Sequence, residues 1–303
     1  MEPTIFTNEI ILSWLSYFSA NAEINLSKLK MLDITGKNKN LIPAIMSNEA
    51  VLVFTDAGHP EIFYDMWKAE LGECDIWYNE GSDPKGELKH NKLSDMIDRG
   101  INASAAMLII NPNAATNYHI GMENSRFSSG SVHYVCREVR AVIMNKLNLG
   151  QGDNICIISG ESIAVEAAMI AAEGSVIAVE YDARDRSTMK ENVVKFGLNN
   201  VTIAESLDDE AIKRLPVPNI AFIVASKLIG SEIRSLLKLN PEMDFVIYTL
   251  DFEILSALPA LLRENGIERS EAINIEVSRV NSKNMAEPFP APWLISGARA
   301  KDE

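Results

Sequence analysis

Cysteine and histidine are scarce in this sequence, and their spacing excludes as much as their number. The three cysteines, Cys74, Cys136 and Cys156, lie far apart, so neither a disulfide framework nor a zinc-binding motif arises. The four histidines, His59, His90, His119 and His133, do not pair with one another at turn or helical spacing, so no metal is expected. Long apolar runs are missing too: none approaches the roughly 18 residues that a membrane span requires. At the amino end no charged segment leads into an apolar one, as a secretory leader would need. These absences lead us to expect a soluble protein of the reducing cytoplasm. Basic residues are also in deficit, 28 against 42 acidic ones for a net charge of −14. That balance repels phosphate backbones and anionic headgroups, so neither nucleic acid nor a membrane is expected as a partner. No G-x-G-x-x-G follows a strand-like run, which argues against an NAD-linked oxidoreductase.

What is present suffices for two cores, because 47% of the 303 residues are hydrophobic. Ile10, Ile11, Trp14, Leu15 and Phe18 recur at helical spacing, with Thr7 or Asn8 able to cap that helix. Strands are expected at 29–33, 50–55, 74–79 and 106–110, and helices at 40–46, 60–71 and 92–98, with a turn at Asp56, Ala57 and Gly58 and a polar connection at 81–90. This alternation predicts a mostly parallel sheet covered by helices. Between 111 and 131 the pattern lapses into Asn, Ala, Gly and Ser, so we expect a first domain over 1–112, a linker over 113–131 and a second domain over 132–303. The rhythm then restarts with a helix over 134–147, strands at 155–158, 176–180, 201–204, 220–224 and 245–249, and a helix over 163–172. Two strand-like runs, 273–280 and 293–296, close the chain with no helix between them. The expected class is α/β: a Rossmann-like methyltransferase domain preceded by a smaller α/β domain.

From Arg137, Glu138, Val139 and Arg140 onward, through IAVEAA at 163–168, VIAVEYD at 176–182, ENVVKFGLNNV at 191–201, Arg279 and the final PWLISG, the sequence resembles the decarboxylating precorrin-6Y C5,15-methyltransferase family. The first 112 residues are similar to the second half of the tetrapyrrole methylase that precedes this domain in fused members. The resemblance implies S-adenosylmethionine as cofactor, a precorrin or cobalt-precorrin as substrate, a place in cobalamin biosynthesis, and a homo-oligomer. Because the methylase's first half is absent, the resemblance also implies an accessory module, or a half-site completed by another chain.

Carried over by position, the resemblance places cofactor contacts at Ser159, Gly160, Glu161, Glu180, Tyr181 and Glu205, and tetrapyrrole contacts at Glu138, Arg140, Ser226 and Arg279. Arginine suits the acetate and propionate arms of a tetrapyrrole through paired hydrogen bonds. No catalytic acid or base is assigned, since methyl transfer from a sulfonium rests mainly on alignment. The sequence departs from the family where the donor loop has three close glycines. Here the stretch is Ile157, Ile158, Ser159, Gly160, Glu161, Ser162, Ile163, about two residues shorter, with one glycine and an added carboxylate. Ala204, Glu205 and Ser206 replace a Gly-Asp-Ala step, and Ala225 and Ser226 replace paired glycines. These losses open a second reading, a homologue that has lost the methyl donor and holds a tetrapyrrole or serves as a scaffold.

Overall fold

The structure is a computed structural model describing residues 7–20, 22, 24–35, 39–55, 61–97, 105–115, 120–129, 135–208, 210, 212–267 and 269–298. The Asp56–Ala57–Gly58 turn, Pro60, His59, His119, His133, Tyr134 and parts of the expected linker lie outside the described residues. The chain divides into two compact units, Met1–Tyr118 with Lys195–Asn199, and His119–Val194 with Asn200–Glu303.

In the first unit α1 (Asn8–Ser19) is capped by Thr7, whose hydroxyl accepts from the Ile10 N–H at 3.4 Å. Its apolar stripe buries Trp14 and Phe18 against Leu52, Phe54, Ala106 and Leu108. β1 (Leu29–Asp33), α2 (Leu41–Ser47) and β2 (Ala50–Phe54) make one parallel crossover. All five residues of β2 are buried because both its faces are covered: Leu52 and Phe54 meet α1, while Val51 and Val53 join Ile34, Ile45 and Ile76. After α3 (Ile62–Lys68) come β3 (Asp75–Tyr78), β4 (Lys89–Lys92) and β5 (Ala106–Ile110), in the sheet order β1-β2-β5-β3-β4.

This sheet corrects the expectation of mostly parallel strands, since β2–β5, β5–β3 and β3–β4 all pair antiparallel. Part of the reason lies in 81–90, expected to be a polar connection. Its last residues enter β4, an edge strand that needs no apolar run because one side faces solvent. Charge and ring contacts hold it: Asp75 accepts from Lys92 and His90, and the His90 ring stacks on Trp77 with centroids 4.1 Å apart. The helix expected over 92–98 is one 3-10 turn, Leu93–Asp95.

The second unit runs α4 (Arg137–Leu147), β6 (Asn154–Ile158), α5 (Glu161–Ile170), β7 (Ser175–Val179), α6 (Ala183–Lys195), β8 (Val201–Ala204), β9 (Ile220–Val224), α7 (Ile229–Leu239), β10 (Asp244–Thr249) and α8 (Phe252–Glu264). It closes with β11 (Arg269–Asn274), β12 (Ser278–Val280), β13 (Ala286–Pro288) and β14 (Trp293–Ala298). The sheet order is β11-β14-β10-β9-β6-β7-β8, with β6 to β10 parallel and β14 antiparallel to both β10 and β11. This is the Rossmann-like methyltransferase arrangement that was expected. The run at 273–280 is not one strand: β11 ends at Asn274, and β12 pairs with β13 in a separate exposed hairpin. Strand order reverses between β6 and β9, so their carboxyl ends flank the crevice where open α/β sheets take ligands.

Candidate functional site

The expected cofactor residues gather at the carboxyl ends of three neighbouring strands: Ser159, Gly160 and Glu161 follow β6, Glu180 and Tyr181 follow β7, and Glu205 follows β8. The link from β6 to α5 is two residues long, because the helix begins at Glu161 rather than at Ile163 as expected. Ser159 takes the left-handed conformation there, with φ +56°, at a cost of about 1–2 kcal/mol for an L residue. Gly160 has φ −129° and owes its identity to close approach. A Cβ on it would stand 2.9 Å from Ile157 Cγ2 and 3.0 Å from Phe222 Cε1.

Glu161 is buried in the first turn of α5, and its carboxylate accepts from the Asn192 side-chain amide on α6. Asn192 is itself clamped by the main chain of Ser128, accepting from its N–H at 2.7 Å and donating to its carbonyl at 3.1 Å. Ser128 was expected to lie in a linker, yet residues 120–128 pack into this unit, with Met122 and Phe127 buried.

Glu180 is 5% exposed, and its carboxylate accepts no hydrogen bond from a described residue. Burial, with the charges of Glu161 and Asp185 beside it and only Arg186 in opposition, pushes its carboxyl up to about 8. The Arg186 guanidinium is turned elsewhere, donating at 2.8 Å to the carbonyls of both Glu180 and Tyr181 and lying 3.6 Å from exposed Glu205. The Tyr181 hydroxyl donates at 2.8 Å to Oε1 of Glu232 on α7. Glu232 is buried with nothing bonded to its Oε2 among the described residues, and burial raises its carboxyl despite Tyr181.

The expected substrate residues do not stay together. Glu138 and Arg279 meet: one Arg279 nitrogen donates to both Glu138 oxygens at 3.0 and 2.9 Å, and the guanidinium lies over the Phe289 ring. Arg137 joins them from the same helix at 3.3 Å. Against the pull of burial, its own backbone N–H and Arg279 hold the Glu138 carboxyl below its usual range. Ser226 turns its hydroxyl back to accept from the Leu228 N–H at 3.1 Å.

Arg140 corrects the expectation of a substrate clamp. It is wholly buried, its Nε donates to Glu166 Oε1 at 2.6 Å, and its two other nitrogens bind Asn124, the Val135 carbonyl and the Met122 carbonyl. A guanidinium consumed in this way holds Met122, Asn124 and Val135 to α4 and α5 and has no fork to offer a ligand. Sequence reasoning missed Asp185, Arg186, Asn192 and Glu232. A signal existed on α6, where Asp185, Thr188 and Asn192 fall on one helical face and that polar face is buried.

Among the described residues no group of three metal-ligating side chains comes together, and no helix is long and apolar enough to cross a membrane. No curated protein matches the chain. Among solved structures, a precorrin-6Y C5,15-methyltransferase from Geobacter metallireducens is similar at TM-score 0.55 and 23% identity, over 60% of this chain and 98% of that one. That likeness shows the fold. The C-terminal domain of the Rhodobacter capsulatus precorrin-6Y C5,15-methyltransferase is similar at TM-score 0.48 and 23% identity, covering 59% of this chain and 98% of its own. Residues 130–284, just over half of the chain, match the precorrin methyltransferase domain, and the chain belongs to that family.

Proposed function

We propose that this chain binds an adenine nucleoside of the S-adenosylmethionine type at the carboxyl ends of β6, β7 and β8, and acts on a corrin-type tetrapyrrole as a methyltransferase. The observation that carries the nucleoside site is Glu180, a buried carboxylate without a hydrogen-bond donor among the described residues, at the end of the second strand of the parallel run. In Rossmann-like sheets an acid there accepts from a ribose diol. Tyr181 and Glu205 lie beside it, an aromatic face and an acceptor suited to adenine. Methylation with decarboxylation of a precorrin in cobalamin biosynthesis is supported by the family alone. The Glu138–Arg279 pair is the acceptor-side candidate, its arginine exchanging Glu138 for a tetrapyrrole carboxylate. Assembly into a homo-oligomer, and completion of the first unit by another chain, belong to the same proposal.

S-adenosylmethionine fits these residues in part. Its ribose finds Glu180 and its base finds Tyr181, but its amino-acid carboxylate would meet Glu161 at the first turn of α5, where that side chain is held by Asn192. The whole cofactor therefore does not fit in the pose its family implies. The same contact favours a second reading, a homologue that holds a tetrapyrrole without a methyl donor.

Calorimetric titration with S-adenosylmethionine and S-adenosylhomocysteine separates the two. Binding tighter than about 100 μM, near −5.5 kcal/mol, supports the methyltransferase reading. No heat with either, together with quenching of tryptophan fluorescence by an octacarboxylic porphyrin, supports the second.

A further inference from the structure

The mismatch at the amino-acid end of the site has a chemical direction. The ten-residue helix α5 opens with N–H groups and a positive dipole end, the natural seat for a ligand's anionic group. In this chain the anion is built in. Glu161 is buried in that first turn, and it is held by an Asn192 amide that Ser128 grips on both sides. Glu180 and Asp185 add two more acids close by, while the nearby cation, Arg186, is turned to two main-chain carbonyls and to Glu205. The independent sign of a ligand is again Glu180, a residue only 5% exposed whose carboxyl group receives no hydrogen bond from a described residue. It calls for a hydrogen-bonding partner such as a diol or an ammonium.

We infer that the site prefers an adenine nucleoside whose 5′ substituent ends in a neutral or cationic group over one ending in a carboxylate, decarboxylated S-adenosylmethionine being the type compound. The preference rests on the nucleoside reading above and narrows it. Glu161 supplies the negative charge that the free amino acid would otherwise bring, and a propylammonium group lies where that charge attracts it.

Isothermal titration of the full chain with S-adenosylmethionine and with decarboxylated S-adenosylmethionine measures the preference directly, since the two sulfonium compounds differ by one carboxylate. The decarboxylated compound is expected to bind at least tenfold more tightly. Glu161→Gln is expected to narrow the ratio to within about threefold, chiefly by strengthening S-adenosylmethionine. Equal binding, or tighter binding of S-adenosylmethionine, in the unmodified chain overturns the inference and leaves the nucleoside site standing. So does a ratio that survives Glu161→Gln intact in a variant whose circular dichroism is unchanged. Absence of heat with both compounds removes the nucleoside site itself, and the inference with it. If the variant does not fold, the ranking in the unmodified chain decides.

Discussion

Arg140 and Glu166 form an ion pair sealed from solvent, Nε to Oε1 at 2.6 Å, with both side chains wholly buried. Glu166 also accepts from the N–H groups of Gly121 and Met122, each at 3.0 Å. Arg140→Met leaves a buried carboxylate with two neutral donors, and breaking such a pair costs about 3–5 kcal/mol. Urea denaturation followed by tryptophan fluorescence is expected to show that loss. A change below about 1 kcal/mol would contradict the burial assigned to the pair.

Adjacent positions in the β6–α5 link should respond in opposite directions. Gly160→Ala forces a methyl against Ile157 and Phe222, for a loss of about 1–3 kcal/mol. Ser159→Gly relieves a left-handed backbone and is expected to be neutral or to stabilise by up to about 1 kcal/mol. Thermal melts of the two variants check the order, and the reverse order would refute the conformation given for the link.

Glu180 should make the fold sensitive to alkali. Its carboxyl is raised from 4.5 to about 8, chiefly by burial and then by Glu161 and Asp185. Between those values the folded state keeps a proton that the unfolded chain has released, so stability is full below the lower value and falls as pH rises through the higher. The slope contributed is at most about 1.4 kcal/mol per pH unit. Urea midpoints at pH 5, 6.5 and 8 should fall for the unmodified chain and fall less for Glu180→Gln. Parallel pH profiles would disprove the assignment.

The buried cysteines should be inert in the native protein. Burial pushes the Cys74 thiol up to about 11 and the Cys156 thiol up to about 12, so almost no thiolate exists at pH 8. Mass spectrometry after iodoacetamide treatment is expected to find both unmodified until denaturant is added. Rapid native labelling of Cys156 would mean that β6 is open to solvent.

The second unit was readable in the sequence because its central strands are continuous apolar runs. Residues 155–158 and 220–223 are buried on both faces, and no other local pattern suits such a run between helices. β4 was not readable, since Lys89, His90, Asn91 and Lys92 carry no apolar signal and are held by cross-strand charge. The direction of pairing in the first sheet depends on which strands meet, which periodicity does not encode. At the site, Glu180 and Tyr181 could be placed from their position after a strand. Arg140 was misjudged because a charged residue on an amphipathic helix is usually exposed, and two of its four acceptors, Met122 and Asn124, come from a segment that composition marked as linker. Asn192 escaped notice for a related reason: an asparagine on a helix carries no sign of which neighbour it clamps.

The first unit's sheet ends on β1 at one rim and β4 at the other, with Lys30 on the first and Lys89 and Lys92 on the second. Lysines along an unpaired strand discourage annealing with a strand from a neighbouring molecule. Growth of this sheet by edge addition is thus disfavoured at both margins.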